Sequence, residues 1–420
     1  MSSPSSPSSF MFWNCNGLTT RLSKDKHLIK ACLSSKNPDI VFLSEVRMLG
    51  EGPHQQGSAS RRDKRAQEDY ADFHRAFSAG GVFGAYDVKA LSLCPGKRYA
   101  GTLMAVRSAS GVSLVDVSYS IPGATAASAP ASSSTPSSKS SGTANKLTNF
   151  FASKPSPSKK RKADSGSPGL MRHEKDGRVI LAEFAHYFVL HVYAPNNGNK
   201  RESWERRLAW DTDILRFFKK VREEGGHAGL EGVKKPVFYC GDLNVTPEPR
   251  LDTSHPAWMR AQFQKPESPE NSGQPGCTPG EVSRFKQLLE EADLLDVYRQ
   301  HHPDPDPANS SSMDSPFLDL TDPLFTWRGT PGKDGNPAAG RYYKKGMRID
   351  LLLCPTSALN MFESCEIVGA GVDNTSREFC GSDHCPVMVK MAEAETAVAK
   401  TAVATTTTTD TTTTTAAAEV

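Results

Sequence analysis

Several features are missing from this chain of 420 residues, and each absence argues against a class of protein. There is no run of about 18 apolar residues, the length that a transmembrane helix needs. The nine cysteines include no CxxC pair, which argues against a structural zinc site or a disulfide framework and favours a reduced intracellular protein. The first ten residues, MSSPSSPSSF, contain neither a basic flank nor an apolar stretch, so no signal peptide is predicted.

Apolar residues and net charge are also scarce. Hydrophobic residues account for 37% of the chain, whereas a globular domain has about 45–50% when glycine is counted as well. Part of the chain is therefore predicted to be unfolded. The net charge of +3 comes from seven Lys or Arg and one Asp within residues 117–170, offset by four acids and one Lys within residues 393–420. Because the remaining chain is neutral overall, its charge gives no evidence for nucleic-acid binding.

Composition divides the chain into folded and unfolded parts. Residues 1–9 are almost entirely Ser and Pro and are predicted to be disordered. Residues 10–392 are predicted to form one domain, interrupted by a disordered insertion at about 117–175. The insertion is rich in Ser, Ala, Pro and Lys, so it cannot bury enough apolar surface to offset the entropy lost on ordering. Residues 393–420, which include the run TTTTTDTTTTT, are predicted to be a disordered Ala/Thr tail.

Short apolar runs in the folded part indicate strands. They predict buried strands at PDIVFLSE (38–45), KPVFYCGDLN (235–244) and MRIDLLLC (347–354). Two further strands are predicted within residues 178–195, joined at Ala185–His186.

Helical patterns lie between these strands. Residues 201–220 carry an apolar stripe formed by Trp204, Leu208, Leu215 and Phe218. A second helix is predicted to start after Thr278, because Thr278 and Glu281 have the spacing of a capping box and Pro279 takes the first helical position. The alternation of strands and helices predicts an α/β protein.

Polar residues with useful chemistry stand at the ends of the apolar strands. They are Asn14, Asn16, Glu45, Asp242, Asn244, Asp350, Asp383 and His384. Loops at strand ends gather at one edge of a layered α/β protein, where sites are usually built. Oxygen ligands meeting there would suit a hard cation such as Mg²⁺, which is held by one or two carboxylates together with water and phosphate oxygens. Each residue alone could instead be a cap or a solvated strand end, but five such strand ends argue against coincidence.

Nine short motifs reveal a resemblance. In chain order they are WNCNGL (13–18), PDIVFLSE (38–45), YAGTLM (99–104), GRVILAEF (177–184), VYAPN (192–196), GDLN (241–244), FTW (325–327), RIDLLL (348–353) and GSDHCPV (381–387). The sequence therefore resembles the exonuclease III type of apurinic/apyrimidinic (AP) endonucleases, within the endonuclease/exonuclease/phosphatase superfamily. The resemblance implies that residues 10–392 are a catalytic domain with an α/β fold, a four-layer sandwich of two packed mixed sheets flanked by helices.

The resemblance also implies roles for individual residues. The metal site would be formed by Asn14, Asn16, Glu45, Asp242, Asn244, Asp383 and His384, with Mg²⁺ as the cofactor and Mn²⁺ as an alternative. The catalytic residues would be Tyr193, Asp242, Asn244, Asp350 and His384. Among these, Asp242 would orient and deprotonate the attacking water, and Asp350 would accept a hydrogen bond from His384. The substrate would be bound by Asn196, Phe325, Trp327 and Met347, with Ile349 as a further wall of an apolar sugar pocket.

Structural interpretations of these residues stay open at this point. Asp350 could be a buried acid paired with Arg348. Tyr193 could lie in the core at the end of a strand, and His384 could be a loop histidine without a role. The residues of the sugar pocket could equally be ordinary core packing.

The function implied by the resemblance is a magnesium-dependent DNA-repair endonuclease. It would hydrolyse the phosphodiester 5′ to abasic sites in double-stranded DNA, with 3′–5′ exonuclease or 3′-phosphodiesterase activity in addition. A deoxyribose without its base is cheap to rotate out of the duplex, because there is little stacking to lose. The alternatives are another phosphodiesterase or phosphatase of the superfamily and a non-catalytic DNA-repair scaffold. No membrane contact is expected, and the protein is expected to be a monomer.

Two short motifs lie in the predicted insertion. The run Lys159, Lys160, Arg161 and Lys162 resembles a nuclear localisation signal, which predicts a nuclear protein. Leu147, Phe150 and Phe151 resemble a sliding-clamp-binding motif, although Ala144 replaces the Gln usually found three residues before the aliphatic. The alternative is a chance pair of aromatics in a polar stretch.

Overall fold

Two six-stranded sheets form the centre of the protein. A computed structural model describes residues 8–50, 64–122, 173, 176–304, 325–328, 345–369 and 380–392. The strands of these residues are, in chain order, β1 (Ser9–Asn14), β2 (Ile40–Ser44), β3 (Tyr86–Ser92), β4 (Thr102–Arg107), β5 (Asp116–Ser118), β6 (Val179–Glu183), β7 (Phe188–Tyr193), β8 (His227–Ala228), β9 (Lys234–Lys235), β10 (Val237–Asp242), β11 (Leu294–Asp296), β12 (Trp327–Arg328), β13 (Gly346–Met347), β14 (Asp350–Pro355), β15 (Phe362–Ile367) and β16 (Val387–Met391).

Helices cover both outer faces. They are α1 (Leu18–Lys24), α2 (Lys26–Lys36), α3 (Lys64–Phe77), α4 (Arg201–Glu223), α5 (Pro249–Asp252), α6 (Pro256–Ala261), α7 (Pro279–Ala292) and α8 (Val297–His301), with 3₁₀ helices at Pro269–Asn271 and Thr356–Met361. None of the helices in the described part of the chain combines the length and the apolar character needed to cross a bilayer.

Strand order places four carboxyl ends together. The first sheet has the order β15–β16–β1–β2–β4–β3, and the second has the order β11–β14–β10–β7–β6–β5. Both sheets are mixed, because β1 runs parallel to β2 and β7 runs parallel to β10, while their other neighbours are antiparallel. Parallel neighbours end at the same edge of a sheet, so each sheet presents two adjacent strand ends there.

The apolar residues form one core between the sheets and further cores beneath the helices. Phe10 and Phe12 of β1 belong to the core between the sheets, whereas Met11 and Trp13 face the side covered by α1, α2 and α3. Successive side chains of β1 therefore point to opposite faces of the sheet, and both faces are buried. The outer face of the second sheet packs on α4 and α7. The predicted four-layer α/β sandwich is therefore confirmed.

The start of α7 also follows the prediction. The side-chain hydroxyl of Thr278 accepts a hydrogen bond from the backbone N–H of Glu281 and donates to the Glu281 carboxylate at 2.7 Å. Pro279 takes the first helical position. The capping box read from the sequence is thus present in full.

The apolar stripe predicted for α4 is wrong in part. Leu208 is 49% exposed, while the buried face is formed by Arg207, Trp210, Asp213, Ile214, Phe217, Phe218 and Val221. Two charged residues on this face, Arg207 and Asp213, interrupt the apolar period. Their burial is made possible by ion pairs with Asp211 and Arg216, respectively, and such pairs cannot be read from hydrophobic spacing.

Three predicted boundaries also need correction. The insertion was predicted to start at about residue 117, but Asp116–Ser118 form β5 and pair with β6, a strand too short and polar to be recognised in the sequence. The strand predicted over 347–354 is divided, because Gly346–Met347 pair with β12 and β14 begins only at Asp350. The disorder predicted for residues 1–9 extends too far, because Ser9 begins β1 and pairs with Lys390. Residues 1–7, most of the insertion and residues 393–420 lie outside the described residues.

Candidate active site

An open cleft of about 420 Å³ lies where the strand ends of the two sheets meet. The first sheet contributes Asn14, the last residue of β1, and Glu45, which follows β2. The second sheet contributes Tyr193 and Asp242, the last residues of β7 and β10. His384 joins them from the loop before β16. Residues far apart along the chain therefore line one cleft, as the sequence predicted.

One side-chain amide and one backbone amide hold the two oxygens of the Asp242 carboxylate. The Asn14 side-chain amide donates to Oδ2 of Asp242 at 2.8 Å, and the backbone N–H of Asn244 donates to Oδ1 at 3.0 Å. The Oδ1 atom of Asn14 accepts from the backbone N–H of Asn16 at 3.0 Å. Asn16 and Asn244 both have left-handed backbones, with φ of 47° and 49°, a conformation that Asn tolerates better than most residues.

The environment of Asp242 raises its pKa. Burial and the neighbouring Asp350 carboxylate raise the pKa from 3.8 to about 7, against the opposing influence of His384 and the hydrogen bond from Asn14. At neutral pH this carboxyl group is therefore close to the midpoint of its titration. A group with such a pKa is suited to accept a proton from water.

His384 is held by a buried carboxylate behind it. Its Nδ1 atom lies 2.7 Å from Oδ2 of Asp350. The backbone N–H of Asp350 donates to the hydroxyl of Thr326 at 3.0 Å, and the carbonyl oxygen of His384 accepts from Nε1 of Trp13 at 3.0 Å. Burial alone would lower the pKa of His384, but Asp350 outweighs it and raises the pKa to about 10. The imidazole is therefore cationic at neutral pH, with Nδ1 donating to Asp350.

The alternative partner considered for Asp350 is not used. Arg348 instead donates to Asp252 at 2.7 Å and to Asp296 at 2.6 Å, away from the cleft. The interpretation of Asp350 as the acid that orients His384 is therefore supported by the geometry.

Glu45 accepts hydrogen bonds from two neighbours. The Tyr193 hydroxyl donates to its Oε1 atom at 2.6 Å, and one guanidinium nitrogen of Arg47 lies 2.9 Å from Oε1 and 3.0 Å from Oε2. Burial and the nearby Glu45 carboxylate raise the pKa of Tyr193 well above its ordinary value, so the phenol keeps its proton. Glu45 and Arg47 both have φ of 52°. This tight path after β2 brings Arg47 onto Glu45, a contact that the sequence analysis missed.

The arrangement fits a divalent cation. Carboxylate oxygens of Asp242 and Asp350 and a ring nitrogen of His384 lie within 4.8 Å of one another. Of these, the two carboxylates can hold a cation while the imidazole is protonated. The Oδ1 atom of Asp350 is buried and has no hydrogen-bond partner within the described part of the chain. Two carboxylates that share a buried position repel one another, and a hard cation relieves that repulsion through the oxygen ligands it prefers. A metal site is therefore chemically consistent with these residues.

Two further predicted metal ligands, Asn16 and Asp383, are hydrogen-bonded to each other. The Asn16 side-chain amide donates to Oδ1 of Asp383 at 2.7 Å. The Oδ2 atom of Asp383 accepts from Nε1 of Trp327 at 3.2 Å. Neither Asn16 nor Asp383 lines the cleft, so in this structure they support its wall.

Asn196 and Asn244 form the neighbouring part of the cleft. The Asn244 side-chain amide donates to the carbonyl oxygen of Ala194 at 3.0 Å, and its Oδ1 atom accepts from Asn196 at 3.0 Å. The Asn196 Oδ1 atom in turn accepts from the backbone N–H of Gly198 at 2.7 Å. The Asn244 amide carries two N–H groups, so one remains to contact a bound oxygen.

The apolar wall agrees with the prediction except at Phe325. Trp327, Met347 and Ile349 line the cleft, and Trp327 pairs with Met347 in the β12–β13 hairpin. Phe325 is completely buried beneath this hairpin, with its ring packed against Gly346, and it does not line the cleft. Phe325 is therefore a core residue, and its assignment to the substrate pocket is wrong. The sequence analysis also missed the lining residues Phe263 and Gln274, which belong to no motif.

Comparison with known proteins places this cleft in context. A family model described as the endonuclease/exonuclease/phosphatase family matches residues 11–384. A DNA-(apurinic or apyrimidinic site) endonuclease of Arabidopsis thaliana is 30% identical over 407 residues, which cover 94% of this chain and 88% of the relative. An exodeoxyribonuclease of Bacillus subtilis is 28% identical over 219 residues, which cover 52% of this chain and 66% of the relative.

A solved structure supports the fold. The 3′-5′ exonuclease NExo from Neisseria meningitidis matches with a TM-score of 0.50 and 18% identity, covering 92% of this chain and 100% of that chain. At this identity the match concerns the arrangement of strands and helices alone. The predicted clamp motif (Leu147, Phe150 and Phe151) and the basic run 159–162 lie outside the described residues.

Proposed function

The chain belongs to the endonuclease/exonuclease/phosphatase family, and on that premise we propose that it is an AP endonuclease of DNA repair. It hydrolyses the phosphodiester 5′ to an abasic site, leaving a 3′-hydroxyl and a 5′-deoxyribose phosphate, and it has 3′–5′ exonuclease or 3′-phosphodiesterase activity on DNA ends. The observation that carries the proposal is the meeting of Glu45, Asp242 and His384 in one cleft beside an apolar wall. The Arabidopsis relative, aligned over almost the whole chain, supports this choice of substrate.

Asp242 is the group proposed to activate the attacking water. Its carboxylate is buried, and hydrogen bonds from Asn14 and Asn244 fix its orientation. Its pKa of about 7 allows it to take a proton at neutral pH without holding that proton too tightly.

His384 and Asn244 are proposed to stabilise charge on the phosphate. The imidazolium faces the cleft, and Asp350 behind it keeps the ring charged and oriented. The remaining N–H of the Asn244 amide is available for a second phosphate oxygen. Positive charge and fixed donors aimed at the oxygens where charge develops are the main source of rate enhancement in such reactions.

The metal is proposed to be Mg²⁺, with Mn²⁺ as an alternative, held by Glu45, Asp242 and Asp350 with support from Asn14. His384 is left out of this ligand set, because a protonated imidazole has no lone pair for a cation. Oxygen ligands and a small number of carboxylates favour Mg²⁺ over softer metals. When bound, the cation offsets negative charge on the scissile phosphate.

The apolar wall is proposed to select a sugar without a base. Trp327, Met347 and Ile349 line the cleft beside the polar residues. An apolar pocket accepts the base-free sugar, which costs little to rotate out of the duplex, and leaves no room for a nucleotide that keeps its base.

A single cleavage assay tests the proposal. The full chain is incubated with a duplex containing one tetrahydrofuran abasic analogue, in Mg²⁺ and in EDTA. Incision 5′ to the analogue in Mg²⁺ and an intact strand in EDTA are expected. An intact strand under both conditions would reject the proposal, and a parallel panel of phosphorylated lipids, inositol phosphates and RNA tails would then identify another phosphodiesterase. DNA binding without cleavage of any substrate would indicate a scaffold.

Nuclear location is proposed from the basic run Lys159, Lys160, Arg161 and Lys162. A fluorescent fusion of the full chain is expected to concentrate in the nucleus, and a fusion with all four residues changed to Ala is expected to lose that enrichment. Equal distribution of both fusions would reject this signal.

Binding to a sliding clamp is proposed from Leu147, Phe150 and Phe151. A peptide spanning these residues is expected to displace a known motif peptide from a purified clamp, and the same peptide with both Phe changed to Ala is expected not to. We also propose that the protein is a monomer, which light scattering on the purified chain tests directly.

A further inference from the structure

Arg178 is a buried cation beside the candidate active site that the proposed chemistry does not use. Its side chain is 0% exposed, and it is not among the residues that line the cleft. Its guanidinium carbon lies 4.9 Å from the centre of the Tyr99 ring and 4.8 Å from the centre of the Tyr193 ring. The guanidinium therefore lies over two aromatic rings, an arrangement favourable for a planar cation.

The same side chain is tied to the backbone of Tyr193. The N–H of Tyr193 donates to the carbonyl oxygen of Arg178 at 2.9 Å, and Nη1 of Arg178 donates to the carbonyl oxygen of Tyr193 at 3.0 Å. The Nε atom donates to Asp176 at 3.2 Å, and the remaining guanidinium nitrogen donates to the Tyr99 hydroxyl. Because the planar fork of donors is engaged on three sides, it fixes both the backbone and the ring of Tyr193.

The far end of the Tyr193 ring contacts Glu45. The phenol oxygen lies 2.6 Å from Oε1 of Glu45, across the gap between the two sheets. A small shift of the ring would lengthen this hydrogen bond. It would thereby also move the Glu45 carboxylate, which lines the cleft. Misplacing an active-site group by about 1 Å can cost on the order of 100-fold in rate.

We propose that Arg178 is a positioning residue, which holds Tyr193 against Glu45 and thereby sets the turnover rate without contacting DNA. The kinetic part of this inference rests on the proposed function. Arg178 acts only through Tyr193, so its contribution should disappear when the Tyr193 hydroxyl is removed.

A double-mutant cycle in kcat tests this dependence. Arg178→Lys keeps the charge but lacks the planar fork, and Tyr193→Phe removes only the hydroxyl. On the abasic duplex, Arg178→Lys is expected to lower kcat about 10-fold or more in the wild-type background and less than about 3-fold in the Tyr193→Phe background, with KM unchanged. Equal losses in both backgrounds would overturn the proposal. A raised KM with unchanged kcat would also overturn it, because Arg178 would then act on DNA.

Two further variants separate positioning from general destabilisation. Lys235 offers a matched control, since it donates to Glu183 at 2.7 Å and lies 5.9 Å from the Phe188 ring at the opposite end of β6 and β7. Lys235→Met is expected to keep the wild-type kcat. Tyr99 is 38% exposed, so Tyr99→Ala removes one of the two rings over Arg178 without opening a sealed cavity. It should lower kcat in the wild-type background but not in the Tyr193→Phe background, and additive losses would overturn the proposal even if Arg178→Lys fails to fold.

A measurement that does not depend on catalysis tests the role of Arg178 independently of the proposed function. The rise in Tm on adding MnCl2 is recorded for the wild type, Arg178→Lys and Lys235→Met. A smaller rise in Arg178→Lys alone is expected, because Glu45 is less well placed, and an equal rise in all three would contradict the proposal. If the wild type does not cleave abasic DNA, the proposed function fails, and this comparison alone decides the role of Arg178.

Discussion

Nδ1 of His384 lies 2.7 Å from Oδ2 of Asp350, and Asp350 is buried behind the imidazole ring. The pair places a permanent positive charge at the edge of the cleft, because Asp350 raises the pKa of His384 to about 10 despite its burial. A neutral imidazole would lose most of its attraction for a phosphate. The charge of His384, rather than its mere presence, is therefore central to the proposed chemistry.

Removing the Asp350 charge should make the activity sensitive to alkali. In Asp350→Asn the pKa of His384 is expected to fall from about 10 towards the ordinary value of 6.5, so the imidazole loses its proton above that pH. Cleavage at pH 8 should drop by about 10²–10⁴-fold, with a smaller loss at pH 6, as measured by pH–rate profiles on the abasic duplex.

Asp293→Asn is a matched control for this change. The Asp293 carboxylate accepts a hydrogen bond from the Thr356 hydroxyl at 2.8 Å, away from the cleft. The left-handed φ of 53° at Asp293 suits Asn. The control should keep the wild-type profile. A uniform loss in Asp350→Asn at all pH values would show that Asp350 does not act through the charge of His384.

The raised pKa of Asp242 should make the protein less stable as pH rises. The folded state raises the pKa from 3.8 to about 7 and so holds the proton more tightly than the unfolded chain does. Asp242 therefore has little effect on stability below pH 4. Its unfavourable contribution grows as pH rises from about 4 to about 7 and is constant at higher pH. In Asp242→Asn this titration is absent.

Denaturation in EDTA at pH 5 and pH 8 measures the effect. The free energy of unfolding of the wild type should fall between these pH values by about 1–3 kcal/mol more than that of Asp242→Asn. Parallel behaviour of the two proteins would show that Asp242 ionises normally in the fold.

Truncating the apolar wall should enlarge the pocket and weaken selection against intact nucleotides. Met347 lines the cleft beside Trp327, so Met347→Ala widens the pocket. The ratio of kcat/KM on the abasic duplex to that on the undamaged duplex is expected to fall about 10-fold. Met391→Ala, which truncates a buried methionine at the far end of β16, should leave the ratio unchanged. An unchanged ratio in Met347→Ala would remove Met347 from the determinants of specificity.

A buried ion pair should dominate stability away from the cleft. Arg348 is 1% exposed and donates to both carboxylate oxygens of Asp252, at 2.7 Å and 3.1 Å. Asp252→Ala leaves this guanidinium short of a partner and should cost about 3–5 kcal/mol in urea denaturation. Asp252→Asn, which keeps the shape and loses the charge, should cost less. A loss below about 1 kcal/mol in Asp252→Ala would show that Asp296 alone satisfies Arg348.

The sequence could predict the cleft because the residues that form it follow strongly apolar strands. Glu45 and Asp242 stand directly at such strand ends, and the sheet order then brings the ends together. The Thr278 capping box was equally readable, since it depends on residues three positions apart. Predictions succeeded where the decisive interactions are local or follow from strand burial.

Predictions failed where the contact depends on an unusual backbone or on distant packing. Arg47 reaches Glu45 only because both residues have φ of 52°, and no hydrophobic pattern signals that path. Phe325 stands in the same motif as Trp327, yet it is buried against Gly346, which is distant in sequence. The contacts of Arg178 could not be predicted, because its partners Tyr99 and Tyr193 are distant from it in the sequence.

The most direct test of the account is single-turnover cleavage of the abasic duplex by the wild type and Asp242→Asn, with binding of the same duplex measured in parallel. The variant should bind with an unchanged Kd and cleave at least about 10²-fold more slowly, because it keeps the shape of the cleft but lacks the base. Cleavage within about 3-fold of the wild-type rate would contradict the assignment of this cleft as the hydrolytic centre.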